Sequence, residues 1–402
     1  MGDLSPAEQD AISRAAAEPM LDQVLAWSAV NSGSRNLAGL ERMAALLADA
    51  FAALPGELGF ETPAPVEALD AGGRTVSLEH GRHLHLTVRP DAPIQLLLTG
   101  HMDTVFGPDH EFRETRWLDD GVLNGPGVAD MKGGIAVMLA ALKAVEASPA
   151  ADRLGYEVVI NSDEEVGSLS SATLLARAAG SKAAALTYEP AALPDGTLAG
   201  ARPGSGNFAL VVRGRSAHAG RNPEDGRNAL LAAAELALHL AAGRYPGLNV
   251  NPSRIDGGSP SNVVPDLAIL RVNLRPRTAD DEERAKDLIE TAVTAIAAER
   301  DVRIEVHGGF GRPPKPLTPE AEALFDLVKQ AGADLGQAIA WQPSGGVCDG
   351  NNIAACGVPV VDTMGVRGGK IHSMEEFLIA ESLQERAALS ALTILRLAGP
   401  AQ

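Results

Sequence analysis

The segment IQLLLTGHMD, residues 94–103, decides the fold, because an apolar run of strand length ends abruptly in His101, Met102 and Asp103. The same pattern recurs twice. Val158 to Ser162 runs into Asp163, Glu164 and Glu165, and Leu186-Thr187 runs into Tyr188 and Glu189. Short apolar runs closed by polar clusters read as buried strands. Stretches of helical pattern, Leu37 to Leu54 and Lys132 to Glu146, alternate with them, which predicts an α/β sheet. The style resumes late in the chain with a helix near Pro319 to Ala331, the run Val358 to Val361 and a helix from Leu378 to Leu397. In open α/β sheets, ligands bind beyond the carboxyl ends of the strands, where these polar clusters fall.

A stretch of different character lies between Gly-Pro-rich junctions at Arg202 to Gly206 and Gly308 to Pro316. It reads strand, helix, strand, strand, helix, strand: Phe208 to Val212, Ala229 to Ala242, Leu248 to Asp256, Ala268 to Leu274, Asp281 to Ala298 and Val302 to Val306. Two helices on one face of a four-stranded antiparallel sheet close as a separate α+β, ferredoxin-like unit. It is expected at residues 204–314, inserted into a catalytic domain formed by residues 1–203 and 315–402.

With 402 residues, two domains are the default expectation. A hydrophobic fraction of 45% and a charged fraction of 21% are those of a globular chain with a sizeable core. The 52 acidic against 34 basic residues give a formal charge of −18, which argues against nucleic acid or an anionic membrane as partner. An anionic substrate remains compatible where a few Arg or His side chains, or metal ions, make one pocket locally positive. The opening MGDLSPAEQD lacks the basic and apolar regions of a secretory signal, so a cytoplasmic location is expected. No apolar run reaches the roughly 18 residues a membrane span needs. Cys348 and Cys356, the two cysteines, do not make a disulfide framework.

The His and carboxylate residues after the strands carry the chemistry. A strand end is rigid and holds a ligand close to the geometry a metal requires. Asp130 sits in Gly-Val-Ala-Asp-Met-Lys-Gly-Gly, whose glycines allow a tight turn and close backbone approach, and His372 follows the Gly-rich loop Gly365 to Lys370. Imidazole with carboxylate suits zinc, with cobalt or manganese as alternatives. Five ligands point to two ions sharing one carboxylate. A pair of ions about 3.5–4 Å apart activates water and polarises a carbonyl, which is hydrolytic chemistry. Of Glu164 and Glu165, one is free to ligate while the other takes the proton of the water. Asp103 is placed to accept the second ring proton of His101.

Gly-His-Met-Asp-Thr-Val at 100–105, Gly-Pro-Gly-Val-Ala-Asp-Met-Lys-Gly-Gly at 125–134, Ser-Asp-Glu-Glu-Val-Gly at 162–167, Tyr-Glu-Pro at 188–190 and the late His372 resemble one known family. It is that of the co-catalytic zinc peptidases and deacylases, among them glutamate carboxypeptidase, acetylornithine deacetylase, succinyl-diaminopimelate desuccinylase and the aminoacylases. The resemblance implies two zinc ions per subunit bridged by Asp130, with His101 and Glu189 completing one site and Glu165 and His372 the other. It makes Glu164 the general base. The middle domain resembles the family's dimerisation and lid domain, which implies a homodimer. The segment 213–223 resembles the one whose histidine reaches an active site, so His218 would stabilise the oxyanion. Ser-Asn-Val-Val-Pro at 261–265 and Asn-Leu-Arg at 273–275 resemble substrate-contacting segments, so Asn262, Arg275 and Arg312 would hold a substrate carboxylate. Two departures stand out. Met131 replaces an acidic residue that often follows the bridging Asp across a cis peptide, leaving the isomer of that bond open. Cys-Asp-Gly at 348–350 replaces a Thr-Asp-Ala pattern of the glutamate carboxypeptidases.

The expected reaction is hydrolysis of an amide beside a free carboxylate, by a carboxypeptidase or by an N-acyl amino acid deacylase. A catalytically silent peptide-binding protein is the remote alternative, which retention of Glu164 and all five ligands opposes. His83 and His85 share a strand face and need no metal. Gly125 to Gly134 fits no phosphate-loop pattern. Cys348 has no histidine partner that would make it a nucleophile and reads as a pocket-lining thiol.

Overall fold

The computed structural model describes residues 4–119 and 121–399. Its larger sheet contains, in chain order, β1 (Glu57–Glu61), β2 (His83–Val88), β3 (Ile94–His101), β4 (Leu154–Asn161) and β5 (Ala184–Thr187), with the short strand Val360–Val361. Across the sheet they lie β1, β2, β4, β3, β5, then Val360–Val361. β3 is parallel to both β4 and β5, which forces helical crossovers such as α1 (Gly134–Glu146) and α2 (Ala172–Ala179). Those crossovers cover both faces. Leu96, Leu98, Val158 and Ile160 enter the main core with α1, whereas the intervening Leu97 and Val159 join α2 in a second cluster. Burial on both faces explains why these strands read as continuous apolar runs rather than alternating ones.

The register sets the strand ends level. His101 pairs with Asn161 and Thr99 with Thr187, so the segments that follow β3, β4 and β5 emerge at one edge.

The second sheet has its own core. β6 (Ser205–Arg213), α3 (Ala229–Ala242), β7 (Leu248–Gly257), β8 (Leu267–Pro276), α4 (Ala279–Arg300) and β9 (Arg303–Arg312) follow the expected order, and the strands lie β7, β8, β6, β9, all antiparallel. Leu210, Leu236, Leu270 and Ile289 are buried between helices and sheet. Asn228 and Thr278 cap the two helices by accepting from the amides of Leu231 and Asp281. One difference bears on the site. The glycines from Gly308 were expected to mark a junction, yet β9 continues through them to Arg312. Gly308 has φ +93°, and a Cβ there would come within 2.1 Å of the Asn207 carbonyl oxygen. The glycine therefore serves a close strand approach and not a break.

Where the chain enters and leaves this sheet, Arg202 and Lys315 exchange backbone hydrogen bonds of 2.9 and 3.0 Å. Both side chains also bind one buried carboxylate. Arg202 reaches Asp362 through Nε at 2.8 Å and Nη2 at 3.0 Å, and Lys315 reaches it at 3.0 Å. Removing one member of a buried ion network leaves uncompensated charge, at a cost of about 3–5 kcal/mol. Asp362→Ala is expected to lower unfolding free energy by that amount in denaturant titration, and a loss below about 1 kcal/mol would refute the buried network as a stabilising clamp.

Candidate metal centre

Three of the five proposed ligands, His101, Glu165 and Glu189, sit at the level strand edge. His101 is the last residue of β3, and Glu164 and Glu165 open a single 3-10 turn after β4 that Gly167 closes at φ +100°. Glu189 follows β5. Asp130 lies in the irregular turn before α1, across a cis peptide bond to Met131. Gly134 lets that turn pack: a Cβ would come within 1.9 Å of the Tyr188 carbonyl oxygen.

The two oxygens of Asp130 face different histidines. Oδ1 lies 3.1 Å from His101 Nε2, and Oδ2 lies 3.2 Å from His372 Nε2. His372 Nε2 is also 3.1 Å from Glu165 Oε2, and His101 Nε2 is 3.8 Å from Glu189 Oε2. His372 has 53% of its side chain exposed, while the other donors are enclosed. The site therefore opens on the His372 side. Two overlapping groups hold donor atoms within 4.8 Å of one another: His101, Asp130 and Glu165, and His101, Glu164 and Glu189.

Four enclosed carboxylates against two imidazoles leave an excess of negative charge. Burial, with the Asp130 charge beside it, pushes Glu165 up to about 8. Burial likewise raises Glu164 and Glu189. Burial would also raise Asp130, but His101 and His372 outweigh it and hold Asp130 below the ordinary range. Hydrogen bonds to Asp130 and Glu165 push His372 up to about 11. Burial depresses the His101 imidazole, yet Asp103, Asp130 and Glu189 together raise it well above its ordinary value. Carboxylates forced together in this way fit a divalent cation, which offsets their repulsion and takes oxygen and imidazole donors.

Asp103 orders the site from beneath. It is fully buried and accepts from the amides of Glu164 at 3.1 Å and Glu165 at 3.2 Å and from the Ser34 hydroxyl at 2.7 Å. His101 Nδ1 lies 3.0 Å from the Asp103 backbone carbonyl and 3.4 Å from its carboxylate, so the carbonyl is the closer acceptor for the ring proton.

Of the residues expected to hold substrate, Arg275 lines a cleft of about 1150 Å³ together with Glu164, Glu165 and His372. Arg312 borders it too, but its guanidinium is buried and donates to Glu164 Oε1 at 2.5 Å, to the Glu164 carbonyl at 2.9 Å and to Ser168 at 3.0 Å. Glu164, not an open carboxylate pocket, is its partner. His218 and Asn262 are exposed neighbours: Ala219 donates to the Asn262 carbonyl at 3.0 Å, and His218 bridges to Val263. The hydrogen bonds of both stay within the small-sheet unit.

Sequence reasoning missed Glu376. It is buried, and its carboxylate accepts from the amides of Gly127 at 3.1 Å, Ala129 at 3.0 Å and Asp130 at 3.0 Å. It ties the Asp130 turn to the His372 loop; the only signal was an acidic residue four places after His372. Groups that orient a ligand from behind are worth about 10–100-fold in metal affinity. Glu376→Gln turns a donor toward the Gly127 amide and is expected to weaken metal binding by about that factor with the fold intact, read by competition with a chelating dye. Unchanged affinity would reduce Glu376 to a loop tether.

Fold and site together define a metal-dependent hydrolase of peptide or related amide bonds. The family model described as peptidase family M20/M25/M40 matches residues 97–396, and the chain belongs to that family. Carboxypeptidase G2 of Pseudomonas sp. strain RS-16 is 31% identical over 311 residues, covering 75% of this chain and 74% of the relative. Succinyl-diaminopimelate desuccinylase of Maricaulis maris is 28% identical over 315 residues, covering 73% and 78%. The crystal structure of aminopeptidase PepT from Bacillus cereus superposes with a TM-score of 0.72 over 96% of this chain and 99% of that one, at 23% identity, a likeness of fold. Among the described residues no helix is long and apolar enough to cross a membrane.

Proposed function

We propose that this protein uses two divalent ions, zinc by ligand type, to hydrolyse an amide bond beside a free carboxylate, as a carboxypeptidase or as an N-acyl amino acid deacylase. The observation that carries the reading is Asp130, whose two oxygens face His101 and His372 separately. That is the arrangement of a bridging carboxylate, with Glu189 beside His101 and Glu165 beside His372. When bound, the ions supply Lewis-acid polarisation of the carbonyl and a lowered water pKa. Glu164 takes the proton of the attacking water and delivers it to the leaving amine nitrogen. Arg312 fixes one oxygen of Glu164 and so aims the other. This favours Glu164 as base over its place in the second donor group. Asp103 holds the His101 ring and the Glu164-Glu165 turn in register.

Arg275 offers a substrate carboxylate its guanidinium in the cleft. His218 and Asn262 would serve the active site of a second subunit, as exposed neighbours on the small-sheet unit. The stripe of Leu231 and Leu238 on α3, 54% and 72% exposed, supports a homodimer. The relatives' names include both a carboxypeptidase and a desuccinylase, which is why both amide classes stand. The test is metal content per subunit together with release of free amino acid from N-acyl amino acids and dipeptides, with and without chelator. About two ions and chelator-sensitive release are expected; metal-free protein with no release would leave a binding protein on this fold.

A further inference from the structure

The segment Asp349-Gly350-Asn351-Asn352 opens the helix Asp349–Ala355 at the seam between the two sheet units. Each of its positions makes a different contact. Asn351 is fully buried, and its Nδ2 donates to the carbonyls of Pro203 at 2.9 Å and Pro313 at 2.8 Å, where the chain enters and leaves the small-sheet unit. Asn352 donates to the Gly311 carbonyl at 2.9 Å, near the end of β9. Gly350 lies against Asp362, the carboxylate held by Arg202 and Lys315; a Cβ there would come within 2.7 Å of it, so alanine would push on that clamp.

Asp349 reaches toward Glu164. Its buried carboxylate accepts from the Ser168 hydroxyl at 2.5 Å and from Asn161 Nδ2 at 2.7 Å. Ser168 Oγ in turn accepts from Arg312 Nη2 at 3.0 Å, and the same guanidinium donates through Nη1 to Glu164 Oε1. A serine hydroxyl has one proton. Given to Asp349, it leaves Ser168 able only to accept from Arg312, so the direction of each bond from Asn161 to Glu164 is fixed. Arg312 is carried by β9, whereas Glu164, Ser168 and Asp349 belong to the larger unit. We infer that Asp349 is a positioning residue for the general base, acting on Glu164 through Ser168 and Arg312, while Asn351 and Asn352 hold the end of β9 where its guanidinium can complete the path. The inference rests on the reading of Glu164 as base in an amide hydrolase.

Asp349→Asn breaks the order of this path, because one arm of an amide offers donors where both Ser168 and Asn161 need an acceptor. In the metal-loaded enzyme kcat is expected to fall by about 10- to 100-fold, the worth of a small misplacement of a reacting group. KM and metal content stay near their wild-type values. Ser168→Ala cuts the next link and should lower kcat alike, and the double variant should be no worse than the worse single one, since both break one path. Turnover near the wild-type rate in either single variant overturns the role, as do losses that multiply. So does a fall in metal content matching the fall in turnover, which would put Asp349 behind the ligands instead of the base. Should Asp349→Asn fail to fold, Ser168→Ala decides alone. If the unsubstituted enzyme cleaves no amide, the hydrolase reading has failed; crystal structures of the unsubstituted and Ser168→Ala proteins then judge the path, and an unmoved Arg312–Glu164 contact overturns it.

Discussion

Glu164→Gln is expected to retain its full metal content while kcat falls by about 100- to 10,000-fold, the range that removal of a positioned proton-transfer group produces. Glutamine is a sharper test than alanine because its side-chain oxygen still accepts from Arg312, whose Nη1 lies 2.5 Å from Glu164 Oε1. The buried guanidinium therefore keeps its partner, and a loss of activity reports on the proton and not on a collapsed contact. Alanine would remove the nearest acceptor of Arg312, leaving its side-chain contacts to Ser168 at 3.0 Å and Asp349 at 3.7 Å, and so confuse chemistry with stability. The metal count discriminates between two roles. His101, Glu164 and Glu189 also form a compact donor group. If the variant drops to about one ion per subunit, Glu164 is a ligand and the base must be sought elsewhere. With both ions retained and turnover at the wild-type rate, Glu164 has no part in the chemistry.

Why the strand-end residues were legible and others were not follows from how each is held. His101, Glu164, Glu165 and Glu189 each follow a run of apolar residues, and sequence alone reveals such a run because both sheet faces are covered. The level register of β3, β4 and β5 then brings them together, a step no single segment contains. The small antiparallel sheet was legible for a similar reason: its helices and strands differ in period, and their ends carry caps at Asn228 and Thr278. By contrast, Glu376 acts through backbone amides 246–249 residues away, and Asp362 acts through Arg202 and Lys315. Neither lies in a pattern of its own. A buried acid with distant partners reads, in sequence, like any surface acid. Arg312 misled in the opposite direction. Its glycine-rich surroundings read as a junction, whereas Gly308 is a close-approach position within β9, and the strand it extends carries the guanidinium to Glu164.

Asp130→Asn should have the widest effect on metal binding of any single change. An amide carries no charge, and one of its two arms offers donors where an ion needs a lone pair. A bridging position means both sites fail together, so metal content is expected to fall from about two ions toward none. His372→Ala and Glu189→Gln should each impair mainly one site. Loss of only one ion from Asp130→Asn would show that Asp130 serves a single site and remove the main support for a bridged pair. Proton competition provides a second measure in the unsubstituted enzyme. In the metal-free pocket, hydrogen bonds to Asp130 and Glu165 push His372 up to about 11, and His101 is also raised, so both rings hold protons near neutrality. An ion needs the neutral imidazole and must displace those protons. Lower pH strengthens the proton's claim, and apparent metal affinity should fall from pH 8 to pH 6. Calorimetric titration of chelator-stripped protein in buffers of different ionisation enthalpy should record proton release on metal uptake. Affinity flat across that interval, with no buffer-dependent heat, would mean that the histidines are not the groups the metal displaces protons from.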